Sequence, residues 1–315
     1  MGYALFSGCT IPSRLPEYRD ATTAVLDAFG VDYTDSVGFN CCGYPLRNTD
    51  REIYLLSSAR NLALAEKAGR DILVMCKCCY GSFKHAQNAL NQDLRLRDEV
   101  NAILRREGLA YRGVVRVSHL LSFLRHEVGL DAIRRRVVAP LTGVRAGVQY
   151  GCHLLRPSNI NEFNETGVPE FFDLLVKAIG MESIDYARKF DCCGAPLNGI
   201  NSALSIKMTV NKLRAVGEAG GELVATGCPY CHLQFAGAAD AEEGLPRPVV
   251  YPQLLGLAMG LSPESLGMAA DESLAPSRTC HESGVPSLAI PGNARMPLGR
   301  GGRGAAGETR IVDLS

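Results

Sequence analysis

The sequence has no tryptophan and no net charge: 33 lysines and arginines balance 33 aspartates and glutamates over 315 residues. A balanced chain lacks the long-range field that holds nucleic acid or an anionic membrane, so neither is an expected partner. No stretch reaches the ~18 consecutive apolar residues of a membrane span, which argues against direct membrane insertion. The opening MGYALFSGCT has neither the basic region nor the long apolar core of a secretory leader. Phe6 also stands where a myristoylation motif requires serine or threonine. A cytoplasmic location is therefore expected. Gly-x-Ser-x-Gly, P-loop and His-Glu-x-x-His motifs are absent, as is any credible flavin-binding pattern, so the chemistries they carry are not expected.

Cysteine is what the chain has in quantity, twelve in all. In a reducing compartment these are expected to be metal ligands or redox thiols rather than structural disulfides. Ten of them follow one pattern used twice. The first copy is Gly8-Cys9, then Cys41-Cys42-Gly43 in FNCCGYPLRN, then Cys76-x-x-Cys79 in CKCCYGSF. The second is Gly151-Cys152, then Cys192-Cys193-Gly194 in FDCCGAPLNG, then Cys228-x-x-Cys231 in CPYCHLQF. The intervals are 31 and 33 residues in the first copy and 39 and 34 in the second. Such a doubled spacing marks an internal duplication.

The rest of the chain repeats with the cysteines. With 46% apolar and 21% charged residues it should form globular domains, and we divide it as 1–140, 141–261 and a tail, 262–315. Apolar runs at 3–6, 71–75, 147–150 and 222–226 read as strands, each reaching a cysteine at or near its end. Further strands are expected at 31–37 and 114–117. Helices are expected over 17–29, from Thr49 or Asp50 to Gly69, over 80–106, around 120–127 and over 170–179. Another has Ile206, Val210 and Leu213 on one apolar face. Pro12 and Pro16 should keep the residues after Cys9 out of a helix. The expected fold class is α/β: two pseudo-symmetric, Rossmann-like parallel domains with their sites at the carboxyl ends of the strands. The tail is rich in Gly, Pro, Ser and Arg without periodicity and reads as largely disordered. Its Gly299-x-Gly301-x-x-Gly304 has neither the strand nor the apolar helix of a dinucleotide site, so it reads as compositional.

Thiolates bind soft and borderline metals, and a Cys-x-x-Cys turn presents two of them to one ion or one cluster. Adjacent cysteines diverge, which suits two irons of one cluster better than a single ion. Glycine after the pair lets the backbone approach inorganic sulfide, and Pro45 and Pro196 stiffen the exits. Five ligands per half exceed the four that zinc uses, although a zinc scaffold stays open as an alternative. Cys78 is off the pattern and reads as a non-ligand, and Cys280, in the tail, as a bystander. His153 and His232 follow ligand candidates directly and can donate hydrogen bonds or protons to a cluster or substrate. Lys77, Lys84, Arg47 and Arg156 can offset thiolate charge or bind an anionic substrate, although isolated basic residues are more often solvated. His85, His119 and His126 read as structural residues on helices.

The pattern resembles the cysteine-rich CCG domain, and two copies in one chain resemble the B subunit of heterodisulfide reductase over roughly residues 1–260. The resemblance implies two noncubane [4Fe-4S] clusters. Cys9, Cys41, Cys42, Cys76 and Cys79 would hold one, and Cys152, Cys192, Cys193, Cys228 and Cys231 the other. These ten would then be the metal, cofactor-binding and, through the clusters, catalytic residues. It further implies reductive cleavage of a small disulfide to two thiols, with one electron from each cluster. In methanogens that substrate is the mixed disulfide of coenzymes M and B. Implied partners are the iron–sulfur C subunit and the flavin-containing A subunit of the same complex, with hydrogenase or formate dehydrogenase modules as further candidates. A non-catalytic electron-transfer role is the alternative reading.

Overall fold

The computed structural model describes residues 2–35, 37–161 and 168–269, together with the backbone of two paired strands, Pro276–Ser277 and Ser287–Leu288. The remaining expectations for the tail, including Cys280 and the glycine-rich match, lie outside the described residues.

Each half is built from one strand-and-helix order. In the first, β1 (Tyr3–Phe6) leads to α1 (Thr10–Arg14) and α2 (Pro16–Ala28), then to β2 (Tyr33–Thr34). There follow α3 (Arg51–Ala68), β3 (Asp71–Val74), α4 (Lys77–Gln92), α5 (Leu94–Leu104) and β4 (Val117–His119). After β4 come α6 (Leu120–Phe123), a π-helical turn over Leu124–Gly129, and α7 (Leu130–Arg136). The second half has β5 (Arg145–Val148), α8 (Cys152–Leu155), α9 (Ser158–Asn161), α10 (Phe171–Ala178) and β6 (Glu182–Ser183). It continues with α11 (Ser202–Glu218), β7 (Leu223–Thr226), α12 (Pro229–Ala241), β8 (Arg247–Val250) and α13 (Tyr251–Ala258).

Both sheets are parallel and four-stranded, ordered β2-β1-β3-β4 and β6-β5-β7-β8. The strands β1 and β7, and β3 after Asp71, are apolar or small-residue runs buried on both faces, as a helix-covered parallel sheet requires. The order reverses between β1 and β3 and between β5 and β7. At such a switch point the loops leaving adjacent strands diverge and open a crevice at their carboxyl ends. Cys9 and Cys76 leave the first switch point, and Cys152 and Cys228 the second. The α/β architecture in two repeats is as the sequence indicates.

Local chemistry accounts for most helix ends. Asp50 caps α3 by accepting from the Ile53 N–H at 3.0 Å, and Gly69 ends it in the left-handed conformation. Several expectations need correction. Residues 10–14 are helical despite Pro12, because proline in the first turn loses no intrahelical hydrogen bond. The helix expected over 80–106 starts at Lys77 and breaks at Asp93, whose carboxylate caps α5 through the Leu96 N–H. The strand expected at 114–117 lies at 117–119, and only Tyr33–Thr34 of the 31–37 stretch pairs. The first residues of the expected tail are ordered: Leu266 is fully buried and packs with Met268 against Ala21 of α2.

One apolar core runs through both halves, and cross-packing joins them, α13 against α2 and α4 against α8. His119 belongs to this junction. It ends β4 rather than lying within a helix, and its Nδ1 accepts from the Leu121 N–H. The Nε2–H then donates to the Gly227 carbonyl of the other half at 3.2 Å. Burial holds its pKa at about 3. A histidine depressed in the folded state binds its proton more readily when unfolded. Its stabilising contribution is therefore complete above the unfolded value near 6.5 and is lost as pH falls toward 3. Unfolding free energy should fall below pH 6.5 by up to ~1.4 kcal/mol per pH unit from this group. Denaturation midpoints at pH 5 and 7.5 should therefore differ less in His119→Gln than in the unsubstituted chain.

Candidate metal centre

All ten pattern cysteines lie at the carboxyl ends of the strands, in two sets of five. In the first set the Cys9 and Cys41 sulfurs are 4.0 Å apart. Cys42 neighbours Cys41 and Cys79, and Cys79 neighbours Cys76. In the second, Cys152 and Cys192 are 4.0 Å apart, Cys193 neighbours Cys192 and Cys231, and Cys231 neighbours Cys228. Two thiolates on one tetrahedral metal at about 2.3 Å stand about 3.8 Å apart, so these pairs sit near ligand spacing. Cys9 is exposed, Cys41, Cys152 and Cys192 are half-buried, and the rest are buried.

The electrostatics fit a metal group. Buried thiols this close cannot all ionise without compensating positive charge. Neighbouring Cys193 and Cys228 push the Cys231 thiol up, and burial adds to this. Cys228 is held low by contact with Cys231, Cys76 and Cys78, with the Lys77 charge contributing. A bound cluster would supply the missing charge to every sulfur at once.

Each adjacent pair is hung from the helix that follows it. Ser57 and Ser58 of α3 donate to the Cys41 and Cys42 carbonyls at 2.8 and 2.6 Å, and Asn61 donates to the Asn40 and Cys41 carbonyls. On α11, Ser205 donates to the Gly194 carbonyl at 2.9 Å and Thr209 to that of Cys193 at 2.8 Å. Lys212 donates to the Asp191 and Lys189 carbonyls at 2.7 and 3.1 Å, and burial lowers its pKa to about 8. The sequence pattern does not single out these residues. It assigns Ile206 to the buried face, yet Ile206 is 45% exposed, while Ser205, Thr209 and Lys212 are buried. The signal available is small polar residues at helical spacing just after each pair.

The glycine after each pair is also required by the helix that follows. Gly43 and Gly194 adopt φ of +82° and +92°. A Cβ on Gly194 would lie 2.6 Å from the Ser205 carbonyl oxygen, and one on Gly43 would lie 2.9 Å from that of Tyr54. The loop presses on its helix, so a side chain is excluded there. Gly194→Ala should destabilise the second half by ~2–4 kcal/mol through strain and clash. Thermal unfolding monitored by circular dichroism measures this.

Two first-half side chains enter the second half. Lys77 is 1% exposed, and its Nζ donates to the Gln149 carbonyl at 2.5 Å and lies 5.4 Å from the centre of the Phe172 ring. Burial lowers its pKa, opposed by attraction to Cys231, Cys228 and Cys193. The Cys78 sulfur lies 3.4 Å from His153 Nδ1, while the His153 Nε2 faces the Tyr44 hydroxyl at 3.5 Å. The sulfurs of Cys76 and Cys228, one from each half, are 4.0 Å apart. By contrast, His232 is buried facing Thr226, Lys84 is buried, Arg47 stacks beside the Tyr44 ring and Arg156 is exposed.

Known proteins resemble this chain. The profile of the cysteine-rich domain family, CCG, matches residues 3–84 and 146–236, one copy on each cysteine set. The B subunit of the Ferredoxin/F(420)H(2)-dependent CoB-CoM heterodisulfide reductase of Methanosarcina acetivorans is 38% identical, over 84% of this chain and 91% of its own. The chain belongs to the family of heterodisulfide reductase B subunits. The 8-methylmenaquinol:fumarate reductase membrane anchor subunit of Wolinella succinogenes is 28% identical, over 84% of this chain and 95% of its own. A hypothetical protein from Helicobacter pylori shares the fold at a TM-score of 0.65 and 17% identity. It matches 84% of this chain, which spans half the length of that protein. As a member of the heterodisulfide reductase family the chain has a redox role with iron–sulfur chemistry. Among its described residues no helix is long and apolar enough to cross a membrane.

Proposed function

We propose that this chain is the catalytic iron–sulfur subunit of a heterodisulfide reductase-like complex. It would reduce a disulfide, that of coenzymes M and B or an analogue, to two thiols. One observation carries the reading: both five-cysteine sets are complete, and they meet where Cys76 and Cys228 are 4.0 Å apart. Cys9, Cys41, Cys42, Cys76 and Cys79 would hold one noncubane four-iron cluster, and Cys152, Cys192, Cys193, Cys228 and Cys231 the other. When bound, such clusters supply single electrons, and cleaving a disulfide takes two. The chain's own part is to bury the sulfurs, to hold the paired cysteines by Ser58 and Thr209, and to place the Lys77 cation beneath the second set. In this reading the domains divide near residues 140 and 261. Electrons arrive in the cytoplasm from the iron–sulfur C subunit and the flavin-containing A subunit, with hydrogenase or formate dehydrogenase modules upstream.

The fumarate reductase relative supports a second reading, in which the chain passes electrons without binding a disulfide. Anaerobic iron and sulfide analysis, with EPR before and after thiol addition under oxidising conditions, separates the two. About eight irons per chain and a thiol-dependent paramagnetic signal are expected. The same iron with no response to any thiol would favour electron transfer, and zinc in its place would end both readings.

A further inference from the structure

The two halves correspond position by position around their cysteines, and the likeness of the side chains breaks at the junction. Counting along each Cys-x-x-Cys, Cys78 of the first half corresponds to Tyr230 of the second. Counting from Cys9 and Cys152, Thr10 corresponds to His153. Both of these pairs meet across the halves. Thr10 lies beside the Tyr230 hydroxyl, and His153 Nδ1 lies 3.4 Å from the Cys78 sulfur. One crossing thus carries a phenol and a hydroxyl, the other a thiol and an imidazole.

The thiol is not merely a small buried side chain. The sulfurs of Cys76, Cys78 and Cys228 all lie within 4.8 Å of one another, and all three residues are buried. Two thiolates on one tetrahedral ion stand about 3.8 Å apart, so the Cys78 sulfur is within ligand reach of a metal held by Cys76 or by Cys228, which belong to different sets. Cys78 occupies the first turn of α4. A buried cysteine acting only as an apolar filler would be expected among carbon atoms. Here two sulfurs and a ring nitrogen lie beside it within the core.

Helix packing fixes which half this thiol serves. Gly81, one turn further along α4, faces α8: a Cβ there would lie 3.1 Å from the His153 carbonyl oxygen. This close approach presses the first turn of α4 against the residues following Cys152. Lys77, next to Cys78, is already inside the second half, where a Cβ on Gly151 would lie 2.8 Å from its Cδ.

We propose that Cys78 is an eleventh thiolate ligand, given by the first half to the iron–sulfur group of the second, on the metal held by Cys228. His153 would position it through an Nδ1–H donated to the sulfur, with Nε2 accepting from the Tyr44 hydroxyl. The inference rests on the cluster reading above. It makes the second group depend on a residue of the first half, whereas no thiol of the second half corresponds to Cys78.

The test uses the full chain, reconstituted anaerobically with iron and sulfide, in two backgrounds. Cys42→Ser leaves the second-half group, and Cys193→Ser leaves the first. In the Cys42→Ser background, adding Cys78→Ser should shift the EPR g-values with iron retained. Adding Cys78→Ala there should lose about a quarter of the remaining iron, one ion of four. In the Cys193→Ser background both changes should leave iron and spectrum as they were. An unchanged spectrum in the first background, or a change only in the second, overturns the proposal. So does loss of the far-UV circular dichroism in both Cys78 variants, because a ligand role predicts folded protein with altered metal. Absence of iron–sulfur signal from the unsubstituted chain would instead strike the underlying functional reading.

Discussion

Cys193→Ser should remove about half of the bound iron, the share of one four-iron group, and leave the first-half signal in place. Cys193 is buried and its sulfur sits between those of Cys192 and Cys231, so no other thiol of its set can take its position. Its carbonyl is fixed by Thr209 at 2.8 Å, which keeps the backbone in place when the sulfur is lost. Cys42→Ser should give the converse result, since Cys42 holds the matching position between Cys41 and Cys79, with its carbonyl on Ser58. Iron determination and EPR on both variants measure the effect. Unchanged iron would refute the ligand assignment. Complete loss from either variant would show that the two sets, joined through Cys76 and Cys228, act as one centre.

Lys77→Met should lower the reduction potential of the second-half group by on the order of 100 mV. The side chain is similar in length and the ammonium charge is removed. That charge is attracted by the Cys231, Cys228 and Cys193 thiolates and is screened by little water, since the side chain is fully buried. A unit charge at ~6–8 Å and an effective dielectric near 20 exerts ~2–3 kcal/mol, about 90–130 mV for one electron. Reduction adds negative charge, so losing a nearby cation makes reduction harder. Potentiometric titration followed by EPR reads this directly in the Cys42→Ser background, where only the second group is present. A shift of less than ~20 mV would mean that the Lys77 charge is neutralised elsewhere. The Gln149 carbonyl that accepts from Nζ loses its partner in the variant, so a modest stability loss of ~1–3 kcal/mol should accompany the shift.

Repetition makes the site legible in the amino-acid sequence. The spacing of the ten cysteines, with Cys9, Cys76, Cys152 and Cys228 each following an apolar run, depends only on local strand, turn and helix preferences. A parallel strand must end in a loop at the sheet's carboxyl edge, and a cysteine placed just after it must lie there. Where the pattern misleads, burial contradicts apolarity. The face of α11 that packs against the cysteine loop carries Ser205, Thr209 and Lys212, because the loop carbonyls need donors more than the core needs another methyl group. Hydrophobic periodicity points instead to Ile206, which is exposed.

The chain by itself determined two parallel α/β repeats, each with five thiols gathered at one sheet edge, because strand ends and turns are local properties. Only the tertiary structure decided that α4 of the first half lies against α8 of the second, that α13 crosses back onto α2, and that His119 reaches Gly227. Those contacts join elements far apart in the chain and arise from the shapes of two folded surfaces, which no spacing in the sequence records. They place Lys77 beneath the sulfurs of the other repeat and bring Cys76 and Cys228 to within 4.0 Å.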